Sequence, residues 1–362
     1  MKKKKIIFFC PKVINDGLKK TLEIYINYFA KYYKVILVTN TINLKLLKKI
    51  NRKIKIINPR LKFFQKINFF NNLLCSYLTL KKADKRTLIF LMDNYFLFLF
   101  FKFLRFKIKI ALRTANPIFN LKNKEEIKHL RKNIFTGKFG LYFYKYADLV
   151  VTFSKSNENY LREKFKVKNV KQIFNYFPKF NGKKKVKNTH NIFFVGRLVY
   201  SKNPIFFLKN SIELLAEINM RIHIVGEGIL KPILKEMSKK YDKKIFFHDF
   251  VNDPFKKYNK KMDIICITSR FDGTPNVLGE AMSYKIPCLA PKGVGLSSVL
   301  LKNGKYGYLY KAEEDLSFKE KIKYALKNYK TSIKKAEQGY ISLNRFSKQN
   351  TLEKLKLALS KI

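Results

Sequence analysis

Ser269–Met282 reads SRFDGTPNVLGEAM and follows the apolar run Asp263–Thr268, DIICIT. A short apolar run bounded by loop residues reads as a buried strand. Asp272, Gly273 and Thr274 make a loop, and Pro275 then opens a helix, where its fixed φ and missing N–H are tolerated. A helix start leaves backbone N–H groups unpaired and carries partial positive charge, which is a seat for a diphosphate. Gly273 lets a ligand approach the backbone. Asp272 stands in the loop, level with whatever the phosphates carry. Asn276 and Glu280, four apart, share a helix face one turn below. Two carboxylates at two depths could each hold a pair of sugar hydroxyls.

Strands and helices alternate on both sides of this segment. Upstream, Asn191–Val195, Arg221–Val225 and Ile245–Phe250 read as strands, and helices are expected from Pro204 and over Leu230–Lys239. Downstream come a strand at Pro287–Ala290, a helix at Leu316–Tyr329 and a last amphipathic helix at Asn350–Ser360. VGRLVYSKN (Val195–Asn203) places Arg197 and Lys202 in a strand-to-helix loop. There they could neutralise a leaving diphosphate, arginine through forked hydrogen bonds and lysine as a point charge; two solvated loop cations are the plainer alternative. IVGEG (Ile224–Gly228) is a strand followed by a tight glycine turn, and NGKYGYL (Asn303–Leu309) reads as a turn between elements.

The first half has the same alternation. Strand-like runs are Lys4–Cys10, Lys34–Thr39, Ile54–Asn58, Leu88–Met92, Ile108–Arg113 and Leu149–Phe153, with helical stretches at Leu18–Tyr32, Ile67–Lys81 and Glu158–Phe165. Continuous apolar strands suit a parallel sheet buried on both faces. Pro178–Asn188 is polar, basic and Pro/Gly-bearing, and reads as a linker. The expectation is two doubly wound α/β domains: 1–182, 183–345, and a terminal helix 346–362 that packs back on the first. Ligands are then expected in a cleft at the carboxyl ends of the strands.

The chain has 362 residues, 47% of them hydrophobic, with 77 basic and 25 acidic residues and a formal net charge of +52. Such a charge attracts polyanions, from phosphate-rich substrates to anionic lipid headgroups or nucleic acid. Lysine is spread along the whole chain beside abundant Asn, Ile and Phe, and arginine is scarce. That distribution fits an AT-biased coding sequence and an anionic surface better than a nucleic-acid binder. Cys10, Cys75, Cys266 and Cys288 form no C-x-x-C pair and no zinc spacing. Cys10, Cys266 and Cys288 sit in apolar strand-like runs and are expected to be buried free thiols, in keeping with a reducing cytosol. The apolar stretch Ile6–Cys10 is too short for an export signal. The run Tyr95–Leu104, YFLFLFFKFL, falls short of the roughly 20 residues that span a bilayer. A core helix or a membrane-facing surface accounts for it.

VGRL-x3-KN, IVGEG, FHDFVND-x-F-x2-Y (Phe247–Tyr258) and SRFDGTPNVLGEAM followed by Ile286-Pro287 resemble, in order and spacing, the donor-binding half of family 4 glycosyltransferases, the group 1 type with the GT-B fold. The resemblance covers about Asn191–Leu309. The first half resembles the family through its alternation, YADLVVTFS (Tyr146–Ser154) and IFNYFP (Ile173–Pro178). It implies a metal-independent, retaining transfer from a UDP- or GDP-linked sugar, with no cofactor. Arg197 and Lys202 would match the pair that binds the donor diphosphate, and Glu280 the acid that holds the ribose. Asp272 stands at the first position of the two-acid E-x7-E motif, where Glu is usual, one methylene short. Gly279 replaces the usual Leu, which loosens the helix start by up to ~1 kcal/mol.

The catalytic candidates are therefore Arg197, Lys202 and Asp272. Donor-binding candidates are Gly273, Thr274, Pro275, Asn276, Glu280, Gly226 and Gly17, the last in a degenerate Asp16-Gly17 turn after the first strand. LRTANP (Leu112–Pro117) offers Arg113 and Asn116 to the acceptor side, with a structural turn as the alternative. None of His129, His190, His223 and His248 is assigned a catalytic role. The leading expectation is transfer of a hexose or N-acetylhexosamine to a lipid-linked or lipopolysaccharide acceptor, in the cytoplasm and peripheral on the inner membrane face. The partners are a nucleotide sugar, a glycolipid and an anionic membrane surface, not nucleic acid. A GT-B enzyme making a soluble glycoside and a non-enzymatic basic binding protein are the alternatives.

Overall fold

The computed structural model describes residues 4–13, 17–43, 47–92, 98–99, 102, 107–114, 138–181 and 189–362. The chain divides into two units, the first made of residues 1–176 and 349–362 and the second of 177–348.

The first unit holds seven strands: β1 (Lys5–Phe9), β2 (Lys34–Val38), β3 (Lys55–Ile57), β4 (Thr87–Leu91), β5 (Lys109–Arg113), β6 (Leu149–Thr152) and β7 (Val170–Gln172). They form one parallel sheet in the order β3-β2-β1-β4-β5-β6-β7. Successive residues of β1 explain the unbroken apolar run. Ile6 and Phe8 pack on one face with Tyr25, Leu37 and Phe90. Ile7 and Phe9 pack on the other with Ile36, Cys75 and Phe98. A strand buried on both faces has no polar positions to alternate. Phe98 and Leu99, from the run Tyr95–Leu104, are buried, and most of the remainder of that run lies outside the described residues.

Residues 349–362 return to the first unit. Leu352, Leu355 and Leu359 join the core beneath β1 and β2. The division at 176/177 falls a few residues before the anticipated 182 because the aromatic residues there are anchored in the second unit. Phe177 packs against Phe346 with ring centroids 5.8 Å apart, and Phe180 stacks on Tyr284 at 4.5 Å.

The second unit holds β8 (Asn191–Val195), β9 (Arg221–Val225), β10 (Ile245–His248), β11 (Ile264–Cys266), β12 (Cys288–Lys292) and β13 (Tyr308–Lys311). These also run parallel, in the order β10-β9-β8-β11-β12-β13. Counted within the unit the order is 3-2-1-4-5-6, the doubly wound Rossmann order. The chain reverses its winding between β8 and β11, and the crevice outside the carboxyl ends of those two strands is where such sheets take ligands. The first unit reverses likewise between β1 and β4.

The edge strands β7 and β13 and the helix Tyr329–Ser342 stand where no element was expected. All four cysteines are free and buried, and burial pushes the Cys75 thiol up to about 12. Among the described residues no helix is long and apolar enough to cross a membrane.

Candidate active site

The loops that leave β8 and β11 flank the reversal point of the second unit, and they carry most of the expected site residues. After β8 come Gly196, Arg197 and a single 3-10 turn, Tyr200–Lys202. Asn203 then takes a left-handed conformation (φ 51°) and Pro204 begins the helix Pro204–Leu214. After β11 the chain passes Thr268 and Ser269, both buried, then Asp272–Pro275, and enters the helix Asn276–Ser283.

Backbone and side-chain bonds tie the two loops together. Thr268 Oγ1 donates to the carbonyls of Lys202 (3.1 Å) and Asn203 (3.0 Å). The Arg270 amide donates to the Ser201 carbonyl at 3.0 Å. The Arg270 guanidinium lies over the Tyr200 ring at 3.9 Å and bonds Glu313 at 2.6 Å. The Lys202 ammonium is ion-paired with the Asp272 carboxylate, both partly shielded from solvent. The cation expected for a diphosphate and the acid expected for a sugar are therefore immediate neighbours.

Arg197 is exposed at the mouth of the β8 loop and has no ion pair among the described residues. Its position is set by the glycine turn after β9. A Cβ on Gly226 (φ +147°) would overlap the carbonyl of Gly196, and one on Gly228 would overlap that of Leu198. Without side chains the loops zip together: Gly196 N–H donates to Val225 O (3.0 Å) and Leu198 N–H to Glu227 O (2.8 Å). Gly226 thus supports the loop that carries Arg197, a backbone role beside the donor contact expected of it.

A third loop backs the site and was not anticipated. Gly295 (φ +53°), after β12, lies against the Asp272–Gly273 backbone, where a Cβ would come 2.8 Å from Gly273 O. The G-x-G of Gly293–Gly295 was the available signal. Thr274 Oγ1 is buried without a hydrogen-bond partner, as is Asn203 Nδ2.

Pro275 caps the helix Asn276–Ser283 rather than forming its first residue, and the Leu278 amide donates to its carbonyl at 2.9 Å. Asn276 is therefore the first helical residue, and Glu280 follows one turn on, half-buried. Its charge reaches Tyr284, whose hydroxyl is pushed up by burial first, then by Asp253 and Glu280. Gly279 has a packing reason: a Cβ there would overlap the Phe177 ring. The aromatic ring fills the space that a larger residue at 279 would take.

His223 and His248 are packing residues of the second sheet. His223 Nδ1 lies 3.0 Å from His248 Nε2, and its ring stacks on Phe193 at 4.3 Å. Burial, then the neighbouring positive groups, push His223 down to about 3. No group of three or more His, Cys, Asp or Glu residues among those described is arranged to hold a metal ion.

Gly17 and Arg113 belong to the first unit. Gly17 opens the helix Gly17–Phe29 that follows β1, and Thr21 Oγ1 donates to its carbonyl at 3.1 Å. Arg113 ends β5 but is turned inward. Only 2% of it is exposed, its nitrogens reach Met92 O (3.5 Å) and Asn175 Oδ1 (3.4 Å), and Phe153 lies 4.6 Å from its guanidinium. That packing supports the structural alternative for Arg113. Asn116, Asp16 and His129 lie outside the described residues.

Two Rossmann-like parallel sheets in one chain define the GT-B class, and solved structures of that class share the fold. HepE of Anabaena in complex with UDP-glucose superposes with a TM-score of 0.79, at 15% identity, covering 99% of this chain and 100% of that one. A TarM variant of S. aureus, solved with fondaparinux, alpha-GlcNAc-glycerol and UDP, gives 0.75 at 13% identity, covering 98% and 99%. Residues 189–328 match the family described as Glycosyl transferases group 1.

Among curated proteins, the chain is 31% identical over 171 residues to the amylovoran biosynthesis glycosyltransferase AmsD of Erwinia amylovora, covering 42% of this chain and 46% of AmsD. It is 25% identical over 188 residues to a Campylobacter jejuni alpha-1,4-N-acetyl-D-galactosaminyltransferase named for a diphospho-undecaprenol-linked acceptor, covering 51% and 52%. The chain thus spans about half the length of the curated relatives it matches.

Proposed function

We propose that the protein is a retaining glycosyltransferase that moves a hexose or N-acetylhexosamine from a UDP- or GDP-linked donor to a glycan acceptor, lipid-linked or destined for a surface polysaccharide. One observation carries this reading above the others: the Lys202–Asp272 pair at the reversal point of the second unit. In a nucleotide sugar the anomeric carbon is bonded to the distal phosphate, so a phosphate-binding cation and a sugar-binding carboxylate must be neighbours. The family match of residues 189–328 and the names of AmsD and the C. jejuni relative support the reaction class and the glycan acceptor.

In this reading the donor diphosphate lies at the start of the helix Asn276–Ser283, against its backbone N–H groups and the positive helix end. Arg197 and Lys202 supply the balancing charge. Glu280 holds the ribose and Asp272 the donor sugar. The buried Thr274 hydroxyl, which has no protein partner, is suited to a ligand oxygen, since an unmatched buried hydroxyl costs about 1–3 kcal/mol. Gly273 and Asn276 line the same approach, and Gly17 serves the first unit's strand end.

The bond from the anomeric carbon to the diphosphate oxygen breaks through an oxocarbenium-like state. The acceptor hydroxyl attacks from the same face, and its proton passes to the departing phosphate oxygen. The chief requirement is to stabilise negative charge on the leaving group, which Arg197, Lys202 and the helix terminus meet without a metal. Turnover with a panel of UDP- and GDP-sugars and lipid-linked acceptors tests the reading. Activity that survives both Arg197→Ala and Glu280→Ala unchanged would overturn it.

A further inference from the structure

The helix Asn68–Leu80 of the first unit is turned inside out. Its fully buried residues are small or polar, Asn71, Cys75, Ser76 and Thr79, while Leu78 and Leu80 are only partly buried against the core. Asn71 receives a hydrogen bond from Asn40 Nδ2 at 2.8 Å and donates to Pro11 O at 3.2 Å. Thr79 Oγ1 bonds back to Cys75 O at 2.8 Å. Its outward face carries Phe69, Leu73 and Tyr77, four apart and so on one stripe, with Phe70 beside them. Phe63, from the preceding short helix Lys62–Lys66, adds to the same run of chain. These five side chains are exposed by between 42% (Leu73) and 66% (Phe63).

An ordinary surface helix buries its apolar stripe and shows its polar one. A cluster of aromatic residues held outward in this way marks an interaction surface. The charge around it says which kind. Arg60, Lys62, Lys66, Lys81 and Lys82 flank the stripe, all are exposed, and none is ion-paired among the described residues. No acidic residue occurs between Arg60 and Lys82. Apolar rings ringed by lysines that can extend their ammonium groups to the headgroup level form the pattern of an interfacial helix. An anionic bilayer meets both features at once: its acyl boundary takes the rings and its headgroup phosphates take the flanking cations.

The position of the surface fits an acceptor in a membrane. Leu61, just before the short helix, exchanges hydrogen bonds with Asn40 (2.8 and 3.0 Å), which follows the carboxyl end of β2. The start of the surface therefore lies at the carboxyl edge of the first sheet, the edge at which doubly wound sheets take ligands, and its far end reaches the start of β1, where Lys5 Nζ donates to Lys82 O at 3.1 Å.

We propose that residues 60–82 form a membrane-docking face. The aromatic stripe enters the headgroup–acyl boundary of an anionic bilayer, and the flanking lysines and Arg60 bind its phosphates. This deepens the reading of a lipid-linked acceptor, and vesicle binding tests it without donor or acceptor. The protein has no tryptophan, so Phe69→Trp in the full chain creates a single reporter. Mixed phosphatidylglycerol–phosphatidylcholine vesicles at low salt should shift its emission to the blue, and bromine-labelled acyl chains should quench it.

Pure phosphatidylcholine should bind about tenfold or more weakly, as should the charged vesicles at high salt. Phe63→Ser/Phe69→Ser/Phe70→Ser should cut co-sedimentation similarly while leaving the melting temperature and nucleoside-diphosphate binding in place. Failure of vesicle binding with intact nucleotide binding would overturn the docking face alone. So would vesicle binding with no blue shift, or a self-association in sedimentation velocity that the serine variant removes while its vesicle binding persists.

Discussion

The ammonium of Lys202 is ion-paired with the carboxylate of Asp272, joining the loop after β8 to the loop after β11 across the reversal point of the second sheet. The two residues come from loops far apart in sequence. Each loop alone is an ordinary strand-to-helix connection; together they place a cation against an anion at the strand ends.

This pairing makes the two residues act as a unit. Lys202→Ala should lower kcat by about 10²–10³, the range seen when one charge-stabilising donor is removed. Combined with Asp272→Ala, the losses should fall well short of the product of the single effects, because removing either partner already disturbs the other. A double-mutant cycle on kcat/KM is the check, and strictly multiplicative losses would separate the two roles. Asp272→Glu, which restores the reach usual at this position, should remain active.

Gly279 should resist enlargement. Alanine gains about 1 kcal/mol of helix propensity over glycine, yet its Cβ would overlap the Phe177 ring. Overpacking should win, with a net loss of about 1–2 kcal/mol in denaturant unfolding. Gly279→Leu alone should be worse, and Phe177→Ala should partly rescue it. A stabilised Gly279→Ala would mean that the ring moves aside freely.

Gly226→Ala should reduce activity through the loop that the glycine supports, in addition to any donor contact it makes. Its Cβ would overlap the Gly196 carbonyl, and φ at +147° is unfavourable for a side chain. The loop bearing Arg197 must shift, and even a 1 Å misplacement costs roughly 10²-fold in rate. The measurement is kcat beside the melting temperature. A variant that melts lower but turns over normally would confine the glycine to stability.

His223 should make the fold acid-sensitive. Its imidazole is held down to about 3 by burial, His248, Lys261 and Arg221. The unfolded chain titrates near 6.5, so below that pH it binds a proton that the folded form refuses. Stability from this group is complete above pH 6.5 and is lost as pH falls toward 3. At pH 5 the loss is about 2 kcal/mol. His223→Gln, which does not titrate, should flatten the melting temperature between pH 7 and 5 relative to wild type. Equal slopes would contradict the assignment.

The central strands of both sheets were legible because runs such as Ile6–Phe9 and Ile192–Val195 are apolar throughout and packed on both faces. The edge strands β7 and β13 were not. They are three and four residues long, and of the three residues of β7 only Val170 is apolar, whereas the edge strands β3 and β10 showed through the strand-like runs Ile54–Asn58 and Ile245–Phe250. Asp272, Glu280, Arg197 and Lys202 were legible as site candidates through their spacing within loops. The Lys202–Asp272 contact was not, because it depends on how two loops meet. Arg113 read as available at a strand end, but direction into or out of the core is a matter of packing. The same holds for Asn68–Leu80: periodicity tells which residues share a face, and only tertiary packing decides which face is covered.

The central claim is that the second unit seats a nucleotide sugar at Arg197, Lys202, Asp272 and Glu280. Calorimetric titration of the full chain with UDP and GDP, for wild type, Arg197→Ala and Glu280→Ala, tests it most directly. The expected result is saturable binding of one of the two nucleotides, weakened about tenfold or more in each variant, as expected on losing a hydrogen bond to a charged group. Absence of binding to either nucleotide, or equal affinity in all three proteins, would contradict it.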